Sequence, residues 1–220
     1  MGTEGRAMRD ELKWEQVQRH LASLVPRREA ELRTMEAHAK EIDFPIVGPA
    51  AGQLCYQIAR MIGARRVFEL GSGFGYSTAW FARAVRENGG GEVYHVVWDE
   101  DLSARAREHL ARLGLAGIVR FQVSEAVEAL SRAEGTFDLI FNDIDKQAYP
   151  DSLPVIEAKL RPGGVLIVDN ALWHGRVFDR RDTSEATRGV VELTRALADD
   201  PKWITSLVPI RDGLLVAVRR

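Results

Sequence analysis

The sequence is short of several things, and each shortage excludes something. Among 220 residues there is one cysteine, Cys55, so no internal disulfide can form. It falls within the apolar pattern of AAGQLCYQIARMI and reads as a small buried hydrophobe, not as a nucleophile. No apolar run is long enough to span a membrane. The N-terminus, MGTEGRAMRDELKWEQ, is charged and carries no apolar signal region, so a cytoplasmic location is the expectation. Charge of one sign is also missing: 28% of residues are charged, yet the formal net charge is only -2. The chain therefore has no strong pull toward nucleic acid or anionic membrane. There is no internal repeat and no low-complexity segment.

With 45% hydrophobic residues, the chain can bury a large core as a single domain over 1–220. The expected layout is an N-terminal helical arm, 1–45, followed by a core, 46–220. In the arm, Leu12, Val17, Leu21 and Leu24 recur at helical spacing and predict a helix over 8–25. Pro26 breaks it and can open a second helix, which carries Leu32, Met35, Ala39 and Ile42 on one stripe. The apolar stripe of the arm as a whole is long for a segment outside the core, and it predicts packing on a second subunit, hence a homodimer. The stretch DFPIVGP reads as an extended link.

From residue 50 the pattern alternates. Helices over 50–62, 77–87, 101–113, 125–132 and 150–160 lead in turn to the strands RVFEL, EVYHVVW, IVRFQV, FDLIFND and GVLIVDN. Short apolar strands between amphipathic helices predict a parallel sheet covered on both faces. A helix over 184–199 precedes WITSLVPI and LLVAVRR, which flank Asp212-Gly213, a hairpin signal. In such a doubly wound sheet, ligands sit beyond the carboxyl ends of the strands.

Two of those ends are unusual. FNDIDKQAY finishes an apolar run with Asp143, Asp145 and Lys146, and VLIVDNALWHG finishes another with Asp169 and Asn170. A third end, ELGSGFGYS, carries Gly71, Gly73 and Gly75, which let the backbone turn tightly and approach a ligand. Alone, that glycine pattern also fits a simple strand-to-helix turn. Tyr76 stands where a dinucleotide fingerprint has its third glycine, so a cofactor without a pyrophosphate fits better.

VFELGSGFGYSTAWFA resembles the first motif of class I S-adenosylmethionine-dependent methyltransferases. FDLIFNDIDKQAY with GGVLIVDNALWHGRV resembles the metal-dependent O-methyltransferases of small molecules, the catechol and caffeoyl-coenzyme A type. The resemblance runs from about Ile46 to Val177. It implies a Rossmann-like α/β fold: a seven-stranded, mostly parallel sheet with one antiparallel strand near the C-terminus and helices on both faces. It implies S-adenosylmethionine as cofactor and a hydroxylated aromatic small molecule as acceptor. Asp143, Asp169 and Asn170 would be metal ligands. Two carboxylates and an amide oxygen are hard donors that suit Mg²⁺, with Mn²⁺ or Ca²⁺ also accepted. Lys146 would be the general base and Asp143 a catalytic partner, since coordination to a dication lowers a hydroxyl pKa and a lysine beside the metal can take the proton.

The same resemblance outlines the rest of the site. Glu69 and Ser77 flank the glycine loop at the amino acid end of the cofactor, and Ile46, Val47 and Gly48 cover it. The end of the second strand is acidic in the resembling family and holds the ribose. Here that position is Val97, and Asp99, two residues on, can take over. Trp98 would pack on the adenine, with core packing as the alternative. Ser124, Glu125 and Ala126 lie where the adenine edge is met, although Glu125 can equally serve as a first-turn acid of its helix. Lys146, Asn170 and Trp173 would face the acceptor. His174 reads as a polar loop residue, and Arg176, Arg180 and Arg181 as a solvated basic cluster. Three rivals stand beside this reading. Tyr76 weighs against a nicotinamide-dependent oxidoreductase. The intact Asp143, Lys146, Asp169 and Asn170 set weighs against a non-catalytic cofactor binder. The near-neutral charge weighs against a nucleic acid methyltransferase.

Overall fold

The computed structural model describes residues 13–220. Two helices lead the chain, α1 (Trp14–Ser23) and α2 (Ala30–Glu41), followed by α3 (Gly48–Met61). Strand and helix then alternate: β1 (Arg66–Leu70), α4 (Tyr76–Glu87), β2 (Glu92–Val97), α5 (Glu100–Arg112), β3 (Val119–Val123), α6 (Ala126–Arg132), β4 (Phe137–Asn142), α7 (Tyr149–Lys159) and β5 (Leu160–Val168). The chain closes with α8 (Glu185–Asp199), β6 (Trp203–Val208) and β7 (Leu214–Arg219).

The sheet order is β3-β2-β1-β4-β5-β7-β6. All pairs are parallel except β7 with each of its neighbours, so β7 is the one antiparallel strand. The order reverses at β1, and β4 lies beside it. That reversal opens the crevice where the strand ends gather.

Alternation along the central strands builds two cores. Leu139 and Phe141 of β4, with Val165 and Ile167 of β5, face the layer made by α3, α4 and α5. Ile140, Leu166 and Val168 face α6, α7 and α8. Successive side chains point to opposite faces of a strand, so these continuous apolar runs supply both layers. Each fully buried side chain of this size contributes roughly 1.5–3 kcal/mol. Polar caps start the helices: Asp99 accepts from Leu102 N–H before α5, Glu125 from Val127 and Glu128 N–H before α6, and Ser184 from Thr187 N–H before α8.

The arm departs from expectation in three ways. Pro26 does not open the second helix; residues 25–29 are non-helical and α2 begins at Ala30. The link is shorter than expected, because α3 starts at Gly48 with Pro49 in its first turn, where a missing N–H costs nothing. Of the first predicted helix, the part before residue 13, with Leu12, lies outside the described residues. The third departure concerns the stripe on α2. Leu32, Met35 and Ala39 are buried in the α3–α4–α5 core, and only Ile42 remains exposed. The α2 part of the arm's stripe therefore packs on this chain's own core, whereas α1 buries no residue. Polar bonds complete the docking: Arg28 clamps Glu36 through two hydrogen bonds of 2.7 and 2.9 Å, and Tyr76 O–H donates to Glu36 at 2.8 Å. His109 and Arg112 of α5 meet Glu31 at 2.6 and 3.0 Å. No helix among the described residues is long and apolar enough to cross a membrane.

Candidate active site

The carboxyl ends of β1, β2, β4 and β5 are laced together by backbone bonds. Ser72 N–H donates to Val96 O and its hydroxyl accepts from Val96 N–H. Asp143 N–H donates to Leu70 O at 2.9 Å, and Asp169 N–H to Asn142 O at 3.1 Å. Each polar group therefore leaves its strand at a set height, above a cavity of about 780 Å³.

The glycine loop forms one wall. Gly71 sits at φ +85°, and a Cβ there would meet the Asp143 carbonyl oxygen at 2.5 Å. A side chain is excluded by both conformation and contact, which makes the position a bare cradle beside the β4 end. Gly75, at φ +91°, caps α4, whose first-turn residues Tyr76 and Ser77 line the cavity. Glu69 is fully buried beneath the loop, and neither carboxylate oxygen accepts a hydrogen bond from a described group. Burial pushes its carboxyl up to about 8; the nearby Ser77 and Thr78 hydroxyls oppose this, and the charge of Asp143 adds to it.

On the opposite side, Lys146 begins a 3-10 turn, Lys146–Ala148, after β4. Its Nζ donates to Asp143 Oδ1 at 2.7 Å and to Ile144 O at 3.0 Å. It lies 4.9 Å from the Tyr149 ring centroid and 5.9 Å from that of Trp173. Asp169, 1% exposed, accepts from Asn170 N–H on Oδ1 and from Arg211 Nη1 on Oδ2, the latter at 3.3 Å. Burial first, and Asp143 second, push its carboxyl up to about 7. Asn170 has left-handed backbone, φ +56°, and its Nδ2 donates to Asp212 Oδ2, which leaves the amide oxygen as the free acceptor.

This donor set fits a hard divalent cation. Asp143 and Asn170 line the cavity, and the buried Asp169 precedes Asn170 and feels the charge of Asp143; the carboxylates pair with Lys146 and Arg211, and two carboxylates with an amide oxygen are hard donors. Among the described residues no cluster of three or more His, Cys, Asp or Glu forms a metal site; here two acids are joined by an amide. The cradle at Gly71 and the unpartnered Glu69 carboxylate fit a small cofactor with a cationic amino group.

Of the residues expected at the cofactor, Val47, Gly71, Gly73, Ser77, Val97 and Trp98 line the cavity. So do Ser124, Glu125, Ala126 and Asp143, together with Lys146, Asn170 and Trp173 on the acceptor side. Glu69, Gly75 and Asp169 are not among the lining residues, and Glu69 and Asp169 are buried. Asp99 is not among the lining residues, and its Oδ1 accepts from Leu102 N–H as the cap of α5. Glu125 is likewise engaged as a cap. Trp98 is 80% exposed, which rules out core packing. Arg176 and Arg181 pair with Asp182 and Asp179, and they and Arg180 stay outside the cavity wall. Cys55 is fully buried, as expected.

Sequence reasoning missed Phe44, Ser72, Arg211 and Asp212. Phe44 packs on Gly73 and on the Phe74 ring, 5.1 Å between centroids. Arg211 and Asp212 were read only as a hairpin. The acidic side chain of an Asp-Gly turn was the available signal: Asp212 accepts from Asn170 Nδ2 and His174 N–H, and so orients the Asn170 loop.

A family model described as O-methyltransferase matches residues 22–220. A catechol O-methyltransferase of Niastella koreensis is 29% identical, over 78% of this chain and 81% of that protein. A Mycobacterium tuberculosis protein named as a probable O-methyltransferase is 34% identical, over 82% and 81%. Among solved structures, an O-methyltransferase from Bacillus cereus in complex with SAH superposes with a TM-score of 0.84 at 26% identity, covering 94% of this chain and 98% of that one. The O-methyltransferase TomG from Streptomyces achromogenes, in complex with SAM, gives 0.81 at 27%, covering 94% and 96%.

Proposed function

The chain belongs to the O-methyltransferase family, and from that premise we propose that it moves a methyl group from S-adenosylmethionine to one hydroxyl of a vicinal dihydroxy aromatic small molecule, with a divalent cation. The observation that carries the reading is the placement of Asp143, bonded to Lys146 Nζ, directly beside the glycine cradle, in a cavity that Asn170 also lines. Relatives bound to SAM and SAH support the cofactor.

When bound, the cation lowers the pKa of a neighbouring hydroxyl, and S-adenosylmethionine supplies an electrophilic methyl group. The chain's own groups do the positioning. Asp143, Asp169 and Asn170 would hold the cation, Mg²⁺ by donor hardness. Gly71 admits the cofactor backbone close to the Asp143 carbonyl. The buried Glu69 carboxylate, Ser77 and the α4 N-terminus receive its amino acid end. Val47 covers it, and Val97, Trp98, Ser124 and Ala126 take its nucleoside end. Lys146 Nζ stands beside Asp143 Oδ1, where a proton leaving the acceptor hydroxyl can be taken up. Trp173 and Phe44 wall the acceptor and exclude water. Holding the two reactants in attack geometry contributes about 7–11 kcal/mol, so no covalent enzyme intermediate is needed.

The test is transfer of labelled methyl from S-adenosylmethionine to 3,4-dihydroxyphenyl compounds, with Mg²⁺ and with a chelator. Transfer abolished by the chelator is expected. Transfer that survives it would remove the roles given to Asp143, Asp169 and Asn170.

A further inference from the structure

Arg211 occupies a position that suits glycine. Its backbone is left-handed, φ +52°, at the start of the β6–β7 hairpin tip. A bulky non-glycine residue there costs of order 1–3 kcal/mol and persists where its surroundings hold it in place. Gln18 of α1 does so, accepting from Arg211 N–H at 2.6 Å and donating to Pro209 O at 3.3 Å. The side chain lines the cavity, as do Trp173 and Phe44.

The guanidinium there is under-used. It has five N–H donors, and its one hydrogen bond among the described residues is the 3.3 Å contact from Nη1 to Asp169 Oδ2. About a third of the side chain stays exposed to the cavity. The adjacent carboxylate does not take it up: the Asp212 oxygens accept from Asn170 Nδ2 and from His174 N–H instead. Asp169 itself is one of the residues assigned to the cation. A dication held by that carboxylate would repel the guanidinium and weaken its single bond. The remaining donors, in a planar fork that matches a carboxylate, would then face the acceptor.

Resting on the proposed diol chemistry, we propose that Arg211 is a specificity-determining residue that binds a carboxylate on the acceptor, so that the preferred acceptors are dihydroxyaromatic acids and not neutral catechols. The aromatic walls receive the ring, and Arg211 selects the charge.

The experiment is calorimetric, without turnover. Protein loaded with S-adenosylhomocysteine and Mg²⁺ is titrated with catechol, 3,4-dihydroxybenzoate and 3,4-dihydroxycinnamate. At least one acid should bind about ten- to a hundredfold more tightly than catechol, the range of a charge-assisted hydrogen bond. In Arg211→Gly, which also relieves the left-handed strain and so should fold, the advantage should vanish. In Arg211→Lys part of it should return. Equal binding of catechol and both acids by the unaltered protein overturns the proposal, as does an advantage that survives in Arg211→Gly. Binding of none of the three by a protein that still takes up S-adenosylhomocysteine overturns the diol reading itself, and this inference with it.

Discussion

Gly189 lies on α8, far along the chain from the candidate site, yet it should control Lys146. A Cβ at Gly189 would stand 2.1 Å from the Lys146 carbonyl oxygen and 3.0 Å from its carbon. Side chains essentially never approach closer than 3.0 Å, so Gly189→Ala must open the contact by about 0.9 Å. The obstacle is backbone, and no flexible side-chain end can swing away. Either α8 or the Lys146–Ala148 turn must move. The turn is the smaller element, and Lys146 Nζ is held by only two hydrogen bonds, to Asp143 and Ile144. Displacement by about 1 Å of a group that must meet a reacting proton costs on the order of 100-fold in rate. Stability should change much less. Overpacking costs roughly 1–3 kcal/mol, and alanine in a helix returns up to about 1 kcal/mol over glycine. The melting temperature should therefore fall by no more than about 12 °C for a chain of this length. The assay is kcat with a working acceptor, alongside calorimetric binding of S-adenosylhomocysteine, which should stay within about threefold. Gly117→Ala, where an added Cβ meets nothing within 4 Å, is the control. A folded Gly189→Ala variant with kcat close to that of the unaltered protein would refute both the coupling and the role of Lys146.

Three further outcomes follow from the same geometry. Val97→Glu adds a carboxylate to the cavity wall, where Asp99 and Glu125 are engaged as helix caps; it should tighten S-adenosylhomocysteine binding about tenfold. An unchanged Kd would mean that the ribose is held elsewhere. Glu69 is pushed up from 4.5 to about 8 by burial, so its protonated form supports the fold fully below pH 4.5, and that support is lost as pH rises through 8. Asp169, pushed up to about 7, acts in the same direction. Ligand-free protein should therefore melt at lower temperature at pH 9 than at pH 5, and Glu69→Gln should flatten the fall between pH 5 and pH 8; an equally steep fall in the variant would count against this assignment. Tyr76→Phe removes the hydrogen bond to Glu36 that ties α2 to the glycine loop. It should cost about 1 kcal/mol, a drop of roughly 2–4 °C in thermal melts. No change would mean that Arg28 and the apolar stripe alone hold the arm.

Much of this was legible without coordinates. The strands could be read because each is a short apolar run between amphipathic helices, and backbone periodicity converts that pattern into a two-faced sheet. The glycine loop, Asp143, Lys146, Asp169 and Asn170 could be read because their chemistry is misplaced at the end of a buried strand unless something binds there. Asp99 and Glu125 were harder to place. An acid at a helix start can bind a ligand or satisfy backbone N–H groups, and only the observed hydrogen bonds distinguish the two. The α2 stripe predicted burial, but burial against what is a tertiary matter, and the answer is this chain's own core. Arg211 was invisible as a site residue. Its contact with Asp169 spans 42 positions, and its left-handed backbone has no sequence signature in an arginine. Local sequence sets hydrogen-bonding period and face, because those depend on neighbours a few residues apart. Which charges neutralise one another, and which remain free to meet a ligand, depends on distances that exist only once the sheet has brought its strand ends together.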